Sequence, residues 1–464
     1  MIVKTSSSKN IRDINSLQFD DFQANYLLIY LLAMFSDWLQ GPYIYELYVS
    51  YGFKKQEIAE LFVCGFGSSM IFGTFIGGLA DSMGRKRACI LYSVCYILAC
   101  ITKLIPIYSY LMLGRFLSGV STSLLFSVFE SWMVCEHNKR GYNDVLLGQT
   151  FAIATFGNGA VGVIGGLVAN TTAEMYVHNF FFSLDLISFP YYYYVDYLCW
   201  LYRYGYVAPF IFAIAPLMLC GLLVHSSFSE NYGSESSNIV HSFEKGFEML
   251  GKDLSIVALG LSQSLFEGSM YTFIFMWTPA LHTSSIGNPH SHTKGKENDP
   301  ISKYLGLIFA VFMMCSMVGS SIFQLYSDKK EIVYNLPILI HVAAMLAMIT
   351  VAVCLEEKTT VYSMFLVFEF TIGLFYPCFG LIKSEMIPEE SRSALMNIFR
   401  IPLNAFVIVL LFRIDSLSFE AIFLVCAGAH FVGLLCYLYF YYCNVLYPKK
   451  NLVVESNSSM LLIL

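Results

Sequence analysis

Long apolar stretches alternate with short polar ones along most of this chain. Each of twelve stretches is about as long as the ~20 apolar residues that a helix needs to cross a bilayer. Within a stretch the apolar residues run continuously, which favours helices over the alternating strands of a membrane barrel. The predicted helices cover residues 24–45, 58–80, 88–106, 110–134, 146–169, 205–224, 253–281, 304–326, 334–354, 360–382, 393–413 and 420–445. The pattern predicts an all-α protein that spans a membrane twelve times.

The composition supports a membrane protein. Charged residues make up 13% of the 464 residues, about half of the roughly 25% that is typical of soluble globular chains. Apolar residues make up 57%, and the mean hydropathy is +0.62. A soluble protein of this length needs a charged, solvated surface that this chain does not have. The composition therefore excludes a soluble enzyme, a nucleic-acid binder and a disordered scaffold.

The distribution of Lys and Arg predicts the orientation. If both termini are cytoplasmic, sixteen of the 27 basic residues fall in cytoplasmic segments and nine in outer segments, as the positive-inside rule expects. We therefore expect a multi-pass protein, in the plasma membrane, with both termini in the cytoplasm. The predicted parts are an N-terminal segment (1–23), a six-helix half (24–224), a cytoplasmic linker (225–252), a second six-helix half (253–447) and a cytoplasmic tail (448–464).

A motif rich in glycine and charge follows the second predicted helix. It reads GLADSMGRKR at residues 78–87. Its glycines allow a tight turn between closely packed helices, and its aspartate and basic residues predict a charge pair at the cytoplasmic surface. The motif resembles the GxLaDxxGRK signature of the major facilitator superfamily. That resemblance implies two pseudo-symmetric six-helix halves, and a gating role for Asp81, Gly84, Arg85 and Lys86.

Ionisable residues interrupt several of the apolar stretches. Such a side chain at the bilayer centre costs about 2.5–3.5 kcal/mol even on a lenient insertion scale. We therefore expect these residues to line a wet cavity between the two halves or to pair with one another, and structural pairing near helix ends remains the alternative. They are Asp37, Arg115, Glu130, Glu267, Glu369 and Arg400.

Helix-breaking residues occur at corresponding positions in the two halves. Gly41-Pro42 interrupts the first predicted helix, and Trp277-Thr278-Pro279 interrupts the seventh. Breaks at these positions would free backbone groups for a substrate or permit the halves to rock. The sequence therefore predicts discontinuous first and seventh helices.

Several segments resemble one branch of the superfamily, the molybdate-anion transporter family. This resemblance covers roughly residues 20–440 and implies uptake of molybdate by alternation between inward-open and outward-open states. One position departs from the family, because Ile153 follows Thr150-Phe151-Ala152 where members carry Arg or Lys. The segments are DWLQGPY at 37–43, LFSVFESW at 125–132, LFE at 265–267, WTP at 277–279, GLFYP at 373–377 and FRIP at 399–402.

The leading hypothesis is a secondary active transporter of a small anion, with molybdate as the first candidate. A tetrahedral oxyanion offers only acceptors, so its site needs donors and positive charge, which Arg115 and Arg400 could supply. Gln40, Trp38 and Asn397 could complete the site. The cavity carboxylates are candidates for coupling to protons or for pairing with the arginines in the empty site: Asp37, Glu130, Glu267 and Glu369.

Two alternatives remain open at this stage. A proton-coupled carrier of a neutral solute such as a sugar is favoured by the missing basic residue at 153 and by the many carboxylates. The other alternative is a non-transporting receptor or scaffold on the same fold. The sequence contains no nucleophile–base set, metal cluster or nucleotide loop, so we expect no enzyme activity, cofactor or metal. The expected partners are the anion, the lipid bilayer and protons, but no nucleic acid.

Overall fold

A computed structural model of the chain describes residues 2–174, 205–232, 239–283, 300–387 and 389–447. Helices and short connections make up this described part, and no strand occurs within it. The predicted tail at 448–464 and most of the two long loops after the fifth and seventh predicted helices lie outside the described residues.

Fifteen α-helices are found among the described residues, and each of the twelve predicted segments coincides with one or two of them. Eight helical segments of the described part are long and apolar enough to cross a membrane. The helices are α1 (Ile2–Trp38), α2 (Ile44–Ser50), α3 (Lys55–Met83), α4 (Arg85–Thr102), α5 (Tyr108–Leu125), α6 (Val128–Lys139), α7 (Asp144–Glu174), α8 (Ala208–Ser227), α9 (Ile239–Lys252), α10 (Leu254–Thr283), α11 (Leu305–Tyr326), α12 (Lys330–Val353), α13 (Lys358–Met386), α14 (Glu389–Phe412) and α15 (Phe419–Tyr441).

The predicted breaks are partly confirmed. The first helix ends at Trp38, and a 3₁₀ turn at Gly41–Tyr43 follows it, as predicted. The break predicted at Trp277–Pro279 is wrong, since α10 continues through Pro279 to Thr283. A proline this close to a helix end removes only one backbone hydrogen bond, and the buried side chains around it keep the helix in place. The predicted segment 110–134 is instead divided into α5 and α6.

The two halves pack against each other along two helix pairs, α7 with α11 and α3 with α14. Glycine allows the first pair to approach closely, because a Cβ added to Gly166 would lie only 2.7 Å from the backbone oxygen of Gly306. The segment between the halves contains a helix, α9, which packs along α14. We call the end of the bundle that carries residues 228–232 and 252–253 the linker end, and the opposite end the far end.

Hydrogen bonds join the two halves at the far end. His282 Nε2 lies 3.0 Å from Glu46 Oε2, and Ser302 Oγ donates to Glu46 Oε1 at 3.0 Å. Lys55 Nζ donates to the backbone oxygen of Ile414 at 3.2 Å, so α3 is tied to the end of α14 as well. The far end is therefore closed by contacts between the halves.

Two ion pairs at the linker end each stay within one half. Arg140 pairs with Glu136 at 3.0 Å in the N-terminal half, and Lys330 pairs with Glu385 at 3.0 Å in the C-terminal half. The contrast with the far end indicates a conformation in which the halves separate toward the linker end.

Candidate functional site

The predicted charge pair of the 78–87 motif is present at the linker end. Gly84 joins α3 to α4 with a φ of 102°, a conformation that favours glycine. Arg85 Nη2 lies 2.7 Å from Asp81 Oδ1, and the backbone N–H of Lys86 donates to Glu230 Oε1 at 2.9 Å. The motif therefore fixes a turn between two helices and holds the first residues of the linker.

The polar residues at the end of α1 are engaged within the N-terminal half. Asp37 accepts a short hydrogen bond from the hydroxyl of Tyr96 on α4. Trp38 Nε1 donates to Asn158 Oδ1 on α7 at 2.8 Å. Gln40 is buried, and its Nε2 donates to a backbone oxygen of α1 at 3.1 Å. Asp37 and Trp38 link α1 to other helices of the same half, and Gln40 is bonded to α1 itself, so few of their donors remain for a ligand in this conformation.

Arg115 on α5 lies against α3 of its own half. Its Nε donates to the backbone oxygen of Leu61 at 3.2 Å, and its guanidinium lies 4.6 Å from the centre of the Phe62 ring. A Cβ added to Gly65 would lie 2.7 Å from Arg115 Nη2. Arg115 therefore makes a charge-assisted hydrogen bond and a cation–π contact without leaving its half.

Arg400 on α14 reaches across to α3 of the other half. A Cβ added to Gly73 would lie 2.7 Å from Arg400 Nη1, so this glycine makes room for the guanidinium. Asn404 Nδ2 donates to the backbone oxygen of Arg400 at 2.6 Å, next to the helix-interior Pro402. Gly65 and Gly73 are eight residues apart on α3, a rise of about 12 Å. In this conformation the structure does not bring Arg115 and Arg400 together.

A second cation of the C-terminal half was missed by the sequence analysis. Lys383 follows the predicted helix 360–382, but α13 continues to Met386, and Lys383 is half-buried on it. Its Nζ donates to Gln263 Oε1 at 3.0 Å. A signal for it exists in the sequence, because Glu369, Tyr376 and Lys383 are spaced by seven residues and so lie on one face of a helix.

These groups form a single charged cluster beside α3. Gln263 Nε2 donates to Glu267 Oε1 at 2.8 Å, and Lys383 and Arg400 both lie near enough to interact with the Glu267 charge. The hydroxyl of Tyr376 donates to a methionine sulfur, a weak acceptor, at 3.3 Å. We call this set the C-half cluster: Gln263, Glu267, Tyr271, Tyr376, Lys383 and Arg400.

The remaining predicted residues lie outside the C-half cluster. Glu130 is on the first turn of α6, exposed, and near Tyr30 of α1. Glu369 is buried two turns from Tyr376 on the same helix. Asn397 belongs to α14, but its side chain is outside the described part.

Two further observations concern anion and metal chemistry. Ile153 lies on α7 with an exposed, uncharged side chain, so the position contributes no charge. Among the described residues, no group of three or more His, Cys, Asp or Glu side chains could hold a metal ion.

The chain is similar in sequence to known transporters. A family model described as sugar transporters with 12 transmembrane segments matches residues 2–189 and 192–375. A molybdate-anion transporter of Xenopus laevis is 32% identical over 444 residues, which cover 93% of this chain and 88% of that protein. A molybdate-anion transporter of Takifugu rubripes is 32% identical over 419 residues, or 83% of this chain and 78% of that protein.

Solved structures show the same fold at low sequence identity. A bacterial homologue of the human lysosomal transporter Spinster, inward-facing and unoccupied, matches with a TM-score of 0.65 at 14% identity, covering 91% of this chain and 98% of its own. The D-xylose–proton symporter matches with a TM-score of 0.64 at 11% identity, covering 90% and 96%. The fold and the resemblance predicted from the sequence are confirmed: the chain belongs to the major facilitator family of twelve-helix membrane transporters that includes the molybdate-anion transporters.

Proposed function

We propose that this chain carries molybdate, or an oxyanion of the same shape and charge, across a membrane by alternating access. The observation that carries the proposal is the C-half cluster, which has two cations, Lys383 on α13 and Arg400 on α14, of which Arg400 extends to the interface between the halves. The name of the relatives points to the same class of substrate.

The chemistry of the C-half cluster suits an oxyanion. Molybdate accepts hydrogen bonds and donates none, so its site requires donors. Lys383 contributes an ammonium group and Arg400 a planar guanidinium, whose paired N–H groups fit two oxygens of one anion. Tyr376 adds a hydroxyl whose present acceptor is only a thioether sulfur. An anion bound here accepts charge-assisted hydrogen bonds from both cations, and its oxygen is a stronger acceptor for Tyr376 than the thioether sulfur.

The position of Arg400 suits alternating access. Its guanidinium extends from α14 to Gly73 of the other half, so its surroundings depend on how the two halves are placed. A transporter site needs this property, because binding must be coupled to the movement of one half against the other.

We further propose that the linker end faces the cytosol and that the protein resides in the plasma membrane. The excess of Lys and Arg in the segments at that end supports the orientation. The bonds of Glu46 with His282 and Ser302 then close the outer side, and the conformation is inward-open. The Asp81–Arg85 pair and the turn at Gly84 lie on the cytosolic side, where they would control the conformational cycle.

A neutral solute is the second candidate. The family model that matches the chain is described as sugar transporters, and the D-xylose–proton symporter has the same fold. The two candidates make different demands on the C-half cluster, since a sugar does not require the positive charge of Lys383 and Arg400.

Uptake into sealed vesicles that contain the purified protein tests the proposal. We expect saturable uptake of molybdate that exceeds uptake by protein-free vesicles and is lost in the double variant Lys383→Gln/Arg400→Gln. Sulfate and a panel of sugars are measured in parallel. Sugar uptake without molybdate uptake would favour the second candidate, and absence of any uptake would contradict transport of these solutes.

A further inference from the structure

We propose that each molybdate dianion binds together with one proton, and that Glu267 is the group that takes up this proton. The inference rests on the proposed function and concerns the charge balance of the C-half cluster. It assigns a coupling ion and a residue to the same site.

Glu267 lies where it can neutralise the cations of the empty site. Its Oε1 accepts from Gln263 Nε2 at 2.8 Å, and Gln263 Oε1 in turn accepts from Lys383 Nζ at 3.0 Å. Arg400 interacts with the Glu267 charge from α14. In the empty state the C-half cluster therefore contains two positive groups and one negative group, and the Gln263 amide links Glu267 with Lys383.

A dianion changes this balance. With Glu267 ionised, three negative charges would face the two positive charges of Lys383 and Arg400. Like charges in one site disfavour each other's ionised forms. With Glu267 protonated, two negative charges face two positive ones. The neutral carboxyl keeps one oxygen as the acceptor of Gln263 and gains an O–H that can donate to an oxygen of molybdate.

The other titratable groups around Glu267 do not provide the same compensation. Tyr271 and Tyr376 face it from α10 and α13, and both are neutral phenols that offer hydroxyl donors. Asp37 belongs to the other half and accepts from the hydroxyl of Tyr96. His430 of α15 packs against the apolar rings of Phe266 and Phe368. Glu267 is therefore the carboxylate that shares the cations with the substrate.

The test is the affinity for molybdate in detergent between pH 6 and pH 8. Uptake of one proton on binding predicts that the Kd of the wild type falls about tenfold for each unit by which the pH is lowered. In Glu267→Gln the slope should vanish, because the amide mimics the protonated carboxyl at every pH. A matched control is Glu385→Gln on α13, whose carboxylate pairs with Lys330 at the surface and should keep the wild-type slope.

A second measurement does not depend on the folding of a variant. Molybdate added to wild-type protein in weakly buffered solution should raise the pH by the equivalent of one proton per bound anion. Molybdate binding without pH dependence and without proton uptake would overturn this inference but leave the proposed function intact. Absence of molybdate binding at every pH would instead overturn the proposed function. A slope that persists in Glu267→Gln and disappears in Asp37→Asn would assign the proton to the other half and contradict the inference.

Discussion

Two glycines of α3 each make room for an arginine, and the two arginines come from different halves. Gly65 lies against Arg115 of the same half, whereas Gly73 lies against Arg400 of the opposite half. The surroundings of Arg115 persist when the halves move, since the Leu61 carbonyl and the Phe62 ring move with it. The surroundings of Arg400 must change when the halves move, because Gly73 belongs to the opposite half. The comparison supports our proposal that Arg400 serves the substrate, and from it we propose that Arg115 stabilises its own half.

The largest effect on substrate binding is expected from Arg400→Gln. A hydrogen bond to a charged group contributes about 1.5–3 kcal/mol, so molybdate affinity should fall on the order of ten- to a hundredfold. Arg400→Lys should recover only part of the loss, because an ammonium group lacks the planar pair of donors. Titration of purified variants in detergent measures both. Unchanged affinity in folded Arg400→Gln protein would remove the anion hypothesis and promote a neutral substrate.

Loss of Lys383, the second cation of the C-half cluster, should also weaken molybdate binding. In Lys383→Gln we expect molybdate affinity to decrease about tenfold, the lower end of the range for a charge-assisted bond. Lys330→Gln is the matched control, because Lys330 pairs with Glu385 at the linker-end surface. If both variants lost affinity equally, the effect would be one of overall charge rather than of a contact in the C-half cluster.

A smaller and more specific effect is expected from Gly73→Ala. The added methyl group would lie 2.7 Å from Arg400 Nη1, so the flexible guanidinium must move while the fold is kept. We expect a loss of molybdate affinity of about threefold, or roughly 0.6 kcal/mol. Gly67→Ala on the same helix meets nothing within 4 Å and should leave affinity unchanged. Equal affinity in the two variants would show that the Gly73 contact is irrelevant to binding.

The smallest effect on affinity is expected from Arg115→Gln. This substitution removes the contacts with Leu61 and Phe62, so the midpoint of thermal unfolding should fall. Molybdate affinity should change less than about twofold, because Arg115 lies beside Gly65 and Arg400 beside Gly73, and these glycines are about 12 Å apart along α3. A loss of affinity as large as that of Arg400→Gln would place both arginines at the site and contradict the distinction between them.

Much of the fold could be predicted from the sequence, because a bilayer imposes a minimum length on every apolar helix. The Asp81–Arg85 pair was also predictable, because its two residues are only four apart in the sequence. The extent of α13 was not, because a helix defined by apolar composition ends at the first lysine, whereas Lys383 is held inside by Gln263 of α10. The separation of Arg115 from Arg400 depends on which helices pack together, and a single sequence does not contain that information.

The position of the bound anion tests the central claim most directly. Molybdenum scatters anomalously near its absorption edge, so crystals of the protein grown with molybdate would reveal the anion by its own signal. We predict a single strong peak between Lys383 Nζ and the guanidinium of Arg400, beside Gly73. A peak beside Arg115 and Gly65 instead, with none in the C-half cluster, would contradict the assignment of substrate binding to the C-terminal half.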